Sequence, residues 1–207
     1  MKPVKTKDSS YTFHSEEYNE TYHSISGALD EALRKFIQPC KIKDGMIILD
    51  IGFGLGYNAG MAVHNAKNLK IVSLEKDRKV LEAIQTIEVP DWFAGAFEKI
   101  KSAAKNLSYK DNDAEIQIVI GDARGTIKQL NEKFDAVFLD PFSPPKNPEL
   151  WTAEFFKEIA KRMGRDAILA TYSCASVARK NLKNAGFGVW DGPCVGRRAP
   201  GTLAKIL

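Results

Sequence analysis

Four acidic residues stand at the ends of short apolar runs: Asp50, Glu75, Asp122 and Asp140. A carboxylate so placed can hold a cation, bind hydroxyls or move a proton. In an open α/β sheet the carboxyl ends of the strands line the ligand crevice. Asp50 opens Asp50-Ile51-Gly52-Phe53-Gly54-Leu55-Gly56, between the run Met46-Ile47-Ile48-Leu49 and Tyr57-Asn58-Ala59-Gly60-Met61-Ala62-Val63. The pattern reads as strand, glycine-rich turn, helix. Gly52, Gly54 and Gly56 let the backbone take positive φ and let a ligand approach the main chain. The helix behind the turn offers free N–H groups and the positive end of its dipole. A small ligand held against the main chain is the chemistry implied.

Two readings of the turn compete. A dinucleotide fingerprint requires G-x-G-x-x-G, but Tyr57 stands where the third glycine should fall. Asp50 would sit badly against a pyrophosphate and suits a cationic ligand without phosphates. D-x-G-x-G-x-G after a first strand resembles the opening motif of class I S-adenosylmethionine-dependent methyltransferases. Under that resemblance Gly52, Gly54 and Gly56 cradle the cofactor, and Asp50 or Tyr57 holds its amino-acid end. Glu75 ends the run 69–74. An acid about 20 residues past the glycines binds ribose hydroxyls, a role that a dehydrogenase would also fill. Asp122, after Ile120-Gly121, is expected either to contact the adenine or to cap a helix at 123–130.

The elements that would position these residues follow from periodicity. Strands are predicted at 46–50, 70–75, 115–120, 134–140, 167–172, 188–190 and 202–206. The first five alternate with helical stretches, which implies a parallel sheet with right-handed crossovers. The last two, joined by a Gly/Pro-rich loop, imply an antiparallel hairpin. The expected fold is therefore α/β, and a seven-stranded, mostly parallel sheet ending in such a hairpin resembles the class I methyltransferase (Rossmann-like) fold. One domain is expected over 1–207, with residues 1–13 loose, a helical extension at about 14–38 and a helical insertion at about 88–108.

Composition restricts the classes. Of 207 residues 44% are apolar and 27% charged, and the net charge is +4. That suits one domain with a substantial core. No apolar run approaches the ~20 residues of a membrane span, and the first residues lack a signal peptide's apolar stretch. The three cysteines and three histidines make no metal-binding pattern. A cytoplasmic setting without a metal is expected. Base is concentrated in the last third, including Arg179, Lys180, Lys183, Arg197 and Arg198; such a stretch is a solvated face or a contact with phosphates.

Asp140 is followed by Pro141-Phe142-Ser143-Pro144-Pro145-Lys146-Asn147-Pro148-Glu149-Leu150-Trp151. Four prolines within 141–148 make a stiff extended loop, and a stiff loop holds a reacting group in place at little entropic cost. D-P-F-S-P-P-K-N-P-E-L-W is similar to D-G-F-A-P-A-K-N-P-x-x-W of the MnmC-type tRNA methyltransferase domain. The resemblance extends over most of residues 11–207: Glu20-Thr21-Tyr22-His23, Trp151-Thr152-Ala153-Glu154-Phe155-Phe156, Ala170-Thr171-Tyr172-Ser173, Val177-Ala178-Arg179-Lys180-Asn181-Leu182 and Ala185-Gly186-Phe187 match in order. The family's K-R-E-M-L is here Arg197-Arg198-Ala199-Pro200-Gly201-Thr202-Leu203.

The resemblance implies methyl transfer from S-adenosylmethionine to the amine of 5-aminomethyl(-2-thio)uridine at the wobble position of tRNA. It implies a stand-alone form without the fused flavin oxidase domain of the best-known relatives, so that another enzyme supplies the amine. Asp140 then orients the amine and takes its proton, and also favours the cationic cofactor. Phe142 stacks on the uracil or packs on the core. Tyr22 and His23 close over the site, with Tyr22 touching the cofactor. Tyr172 and Ser173 line the substrate side or pack. Lys146, Arg179, Arg197 and Arg198 meet phosphates of the anticodon stem-loop. The rival readings are a small-molecule N-methyltransferase, a dinucleotide-dependent oxidoreductase and a non-catalytic RNA-binding homologue.

Overall fold

The structure is a computed structural model and describes residues 3–196 and 198–207. Strands β1 (Pro3–Lys5), β2 (Tyr11–Ser15) and β3 (Glu20–Thr21) open the chain. Helix α1 (Ala28–Glu31) runs directly into a π-helical turn, Ala32–Ile37. There follow β4 (Ile47–Ile51), α2 (Tyr57–Asn65), β5 (Leu69–Glu75), α3 (Arg78–Ile84), α4 (Asp91–Asn106), β6 (Ser108–Lys110), β7 (Ala114–Ile120) and α5 (Ala123–Thr126). The last part holds β8 (Phe134–Leu139), α6 (Ala153–Arg162), β9 (Met163–Thr171), α7 (Ser176–Asn184), β10 (Phe187–Cys194) and β11 (Pro200–Ile206).

The main sheet has the order β10-β11-β9-β8-β4-β5-β7-β6. Strands β7, β5, β4, β8 and β9 are parallel, while β11 is antiparallel to β9 and to β10. All seven predicted strands are present, and the hairpin closes with the last strand inside it. The eighth strand is β6, antiparallel on the edge of β7. It has only three residues and no buried side chain, so no apolar period announced it.

The central strands read as continuous apolar runs because both faces are covered. Ile48, Ile71, Ile116 and Phe138 face one layer with Phe36, Tyr57, Phe93 and Phe97. Leu49, Ile51, Val72 and Val137 face the other with Trp151, Phe155, Phe156 and Leu182. Helix α4 packs on α2 so closely that a Cβ on Gly60 would lie 2.9 Å from Phe93 Cζ.

The N-terminus corrects the sequence reading. Residues 3–21 form a three-stranded sheet, and the stretch expected to be helical from 14 becomes helical only at Ala28. Apart from Phe13, which packs into the core, the buried side chains of 3–21 include the polar Thr6, Ser10, Thr12 and Ser15, so no apolar period marks these strands. Hydrogen bonds do the work instead. Thr12 Oγ1 accepts from the His23 N–H at 2.9 Å. Asp8 Oδ2 accepts from the N–H groups of Leu29 and Asp30 at 2.9 and 3.0 Å, and so satisfies the first turn of α1 from 21 and 22 residues away in sequence.

Strand β4 has β5 on one side and β8 on the other. The strand order therefore reverses between β4 and β8, and the crevice for a ligand opens at their carboxyl ends.

Candidate active site

The glycine turn and the Asp140 turn are packed back to back. Gly52 has φ +85°, and a Cβ there would lie 2.9 Å from the carbonyl of Asp140. Only glycine allows both the dihedral and the approach. Gly54 donates its N–H to Glu75 Oε2 at 2.8 Å and lies under Tyr22, whose Cδ1 would be 3.4 Å from an added Cβ. Both glycines line a cleft of about 440 Å³. Gly56 serves another purpose: it is left-handed at the start of α2, and a Cβ would meet Ile100 Cγ2 at 2.4 Å. It lets α4 close on the turn and is not part of the cleft wall.

The acids divide in the same way. Glu75, Asp122 and Asp140 line the cleft, and Asp50 does not. Asp50 is fully buried and opposite Ser73 in register, accepting from its hydroxyl at 3.1 Å. Burial pushes it up to about 7, against the Ser73 hydrogen bond. Tyr57 is likewise sealed. Its hydroxyl donates to the Tyr11 carbonyl at 2.9 Å and accepts from the Tyr11 N–H at 3.0 Å, which ties β2 to α2. Neither residue reaches the cleft, contrary to the role expected for the amino-acid end of a cofactor.

Glu75 holds the N–H groups of Gly54, Lys76 and Asp77. Burial raises its carboxyl against those bonds. Asp122 caps α5 through the Arg124 N–H at 2.9 Å and is gripped by the Arg124 guanidinium, which holds it below the usual carboxylate range. The capping alternative is thus present, at the cleft edge where β7 ends.

Asp140 is partly open to the cleft. Burial pushes its carboxyl well above the usual range, and nearby Glu31 and Asp50 add to the rise. Asn58, on the first turn of α2, donates to Asp140 Oδ2 at 2.7 Å and opposes it. Sequence reasoning passed over Asn58, although a polar side chain just behind the glycines was the available sign.

The proline loop is pinned from three sides. The Trp151 indole donates to the Phe142 carbonyl at 2.9 Å, the Tyr172 hydroxyl to the Pro141 carbonyl at 3.0 Å, and the Ser143 hydroxyl to Glu20 Oε2 at 2.7 Å. Phe142 lies under the N-terminal segment, stacked on Tyr18 at 4.2 Å and tilted against Tyr22 at 5.1 Å. Burial, then the charge of Glu75, push the Tyr22 phenol upward. Tyr172 is in the cleft wall, whereas Ser173 is buried behind it and takes no part in the wall.

Helix α1 and the π-helical turn behind it add residues the sequence reading missed. Glu31 and Lys35, one turn apart, form an ion pair at 2.5 Å in the cleft wall. Their i,i+4 spacing was visible in the sequence, but burial within a mixed helical pattern was not. Beside them His23 is pushed down to about 4 by burial, and so is neutral at pH 7.

The basic residues lie away from this centre. Lys146 and Arg198 are exposed and outside the cleft wall, and Arg179 pairs with Asp191 at 2.7 Å. Arg197 lies outside the described residues.

A doubly wound sheet with a glycine-rich turn after β4, an acid at the end of the next strand and a carboxylate at the switch point is the arrangement of the methyltransferase class. Comparison with known proteins gives the family. Residues 80–206 match the model of an S-adenosyl-L-methionine-dependent methyltransferase family, and the chain belongs to it. It is 37% identical to an uncharacterised protein of Methanocaldococcus jannaschii over 97% of this chain and 58% of that one. It is 32% identical to the tRNA 5-methylaminomethyl-2-thiouridine biosynthesis bifunctional protein MnmC of Ralstonia nicotianae, over 93% of this chain and 32% of that one. Among solved structures, MNMC2 from Aquifex aeolicus superposes with a TM-score of 0.86 at 33% identity, over 99% of this chain and 70% of that one. The chain thus spans 58% and 32% of the length of those two curated relatives.

The cleft fits S-adenosylmethionine. It runs from the end of β7, past Glu75 and the two glycines, to Asp140. Two buried polar atoms of its lining residues, His23 Nδ1 and Asn147 Oδ1, have no partner among the described residues, a deficit that a polar ligand makes good. The dinucleotide-dependent oxidoreductase reading falls with this assignment. Among the described residues no helix is long and apolar enough to cross a membrane.

Proposed function

We propose that this methyltransferase acts on tRNA, at the amine of 5-aminomethyl(-2-thio)uridine in the wobble position. The observation that carries the reading is Asp140. It is a desolvated carboxylate fixed by Asn58, at the foot of a loop whose aromatic residue faces the same cleft. The names of the relatives, MnmC and MNMC2, supply the substrate class. S-adenosylmethionine, when bound, supplies the methyl group on a positively charged sulfur.

The chain's own residues then have defined tasks. A free alkyl amine titrates near ~10.4, so the substrate arrives protonated and needs an acceptor. Asp140 takes that proton, and burial, by raising its affinity for protons, suits it to act near neutral pH. The new N–C bond forms on the freed lone pair, and the electrons of the broken bond stay on sulfur. Glu75 receives ribose hydroxyls. Phe142 offers a ring to the uracil, which enters by taking the place of Tyr18, since wobble bases are read unstacked. Lys146, Arg197 and Arg198 meet phosphates of the anticodon stem-loop, giving salt-dependent binding. The reaction places the protein in the cytoplasm, after an enzyme that installs the aminomethyl group.

The test is methyl transfer from labelled S-adenosylmethionine to tRNA bearing 5-aminomethyluridine at the wobble position, with plain uridine there as control. Label on the first alone supports the proposal. Label on neither, with cofactor still bound, removes the wobble amine and leaves a small amine or another nucleotide as substrate.

A further inference from the structure

We infer that Glu31 and Lys35 form the subsite for the amino-acid end of the cofactor, Glu31 accepting from its ammonium group and Lys35 donating to its carboxylate. The inference rests on the cofactor assignment and deepens it.

Position comes first. The cleft crosses the carboxyl ends of β7, β5, β4 and β8 in that spatial order. Asp122 and Glu75 mark the adenosine side, and Gly52 and Gly54 the middle. The tail of the ligand must therefore lie towards β8. Glu31 and Lys35 are there: both line the cleft, and the charges of both act on Asp140 and on His23. Asp50 and Tyr57, which the glycine motif would nominate for the tail, are sealed beneath the turn.

Chemistry comes second. A buried ion pair is poor support for a fold, because desolvation offsets much of its attraction. Lys35 is 2% exposed, yet among the described residues its ammonium meets one acceptor, Glu31 Oε1. Lysine has three donors. Glu31 Oε2 takes the Ser24 N–H at 3.1 Å, and a carboxylate has lone pairs for more. An amino-acid zwitterion is the ligand that matches one donor surplus and one acceptor surplus side by side. Its two charges set against theirs make an alternating square without net charge. The unpartnered His23 Nδ1 lies next to the pair and can take a further N–H.

Calorimetric binding with three ligands tests this on the intact protein. S-adenosylhomocysteine carries both charged groups, decarboxylated S-adenosylmethionine only the ammonium, and 5′-methylthioadenosine neither. Lys35→Met should weaken S-adenosylhomocysteine by about 30-fold or more, as expected for removing one partner of a desolvated charge pair. It should leave the other two ligands within about threefold. Glu31→Gln should weaken the first two and spare methylthioadenosine. Retained methylthioadenosine binding shows that each variant is folded, and the double variant Glu31→Gln/Lys35→Met, which leaves no charge unpaired, should weaken S-adenosylhomocysteine and decarboxylated S-adenosylmethionine and spare methylthioadenosine. Equal losses for all three ligands, or none, overturn the subsite and assign the pair to the fold. If the wild-type protein binds none of the three, the cofactor assignment fails and the subsite with it; wild-type binding with an unchanged variant pattern removes the subsite alone.

Discussion

Replacing Asn58 tests the Asp140 proposal more sharply than replacing Asp140. Asn58 Nδ2 lies 2.7 Å from Asp140 Oδ2 and is 4% exposed. It stabilises the ionised carboxylate against a burial that favours the protonated one. Asn58→Ala removes that bond and leaves the burial. Asp140 then holds its proton to higher pH, so the ascending limb of kcat/KM moves upward. A hydrogen bond to a charged group contributes about 1.5–3 kcal/mol, and 1.36 kcal/mol is tenfold. On the acidic side of the limb the variant should be about 10- to 100-fold slower, and the gap should narrow as pH rises. The assay is methyl transfer to the modified tRNA between pH 6 and 9.5, with S-adenosylhomocysteine affinity measured alongside. The substrate amine is the same for both proteins, so a limb that belongs to the amine will not move. An unmoved limb with a uniform loss of rate would refute the role of Asp140 as proton acceptor and leave Asn58 a packing residue.

The two outer glycines of the turn should separate cleanly. Gly52→Ala forces a Cβ to 2.9 Å from the Asp140 carbonyl at φ +85° and should cost about tenfold or more in cofactor affinity, read by calorimetry. Gly56→Ala presses on Ile100 and should instead lower stability by about 1–3 kcal/mol, read by denaturant melts, with affinity nearly unchanged once folded. Tyr57→Phe leaves the Tyr11 backbone unpaired and should cost about 1–3 kcal/mol of stability, again without a change in cofactor affinity. Asp50 is raised from 3.8 to about 7 in the folded chain, so the native state binds more protons than the unfolded one between those values. Stability from this group falls as pH rises from about 4 to about 7 and is flat above. Asp50→Asn should therefore stabilise the ligand-free protein by roughly 2–4 kcal/mol at pH 8 and make little difference at pH 4; a gain independent of pH would show that Asp50 is ionised in the fold.

The sheet was legible because its central strands are buried on both faces, which prints runs such as Ile47-Ile48-Leu49 and Phe134–Leu139 into the sequence. The carboxylates at the strand ends were equally visible, but not the direction in which each points. Asp50 shows why. Strand residues alternate between faces, and Asp50 shares the face of Ile48 and the register of Ser73, so its side chain enters the core one step before the turn. Glu75 and Asp140 stand at or just past the ends of their strands and escape that fate. A motif fixes which residue is present, and the last residue of pleating decides whether it reaches the ligand.

Of the roof, Tyr22 and His23 were named through the family resemblance, but the strands that carry them were hidden, for a different reason. Tyr18, Tyr22 and His23 belong to a segment built on hydroxyls and one carboxylate rather than on apolar period: Thr6, Ser10 and Thr12 are buried, and Asp8 supplies the cap of α1. Phe13 anchors the segment in the core, and contacts with the site it covers hold the rest. Glu20 grips Ser143 of the proline loop, Tyr57 grips Tyr11, and Phe142 lies against Tyr18 and Tyr22. Glu31 and Lys35 follow directly behind. The roof, the proline loop with Phe142 and the helical stretch that carries the charged pair are thus one connected set of polar and ring contacts. That coupling means that the elements over the cleft are joined to one another by hydrogen bonds and stacked rings, which exchange readily for those of a ligand, while Phe13 and Leu29 anchor the segment in the core behind them.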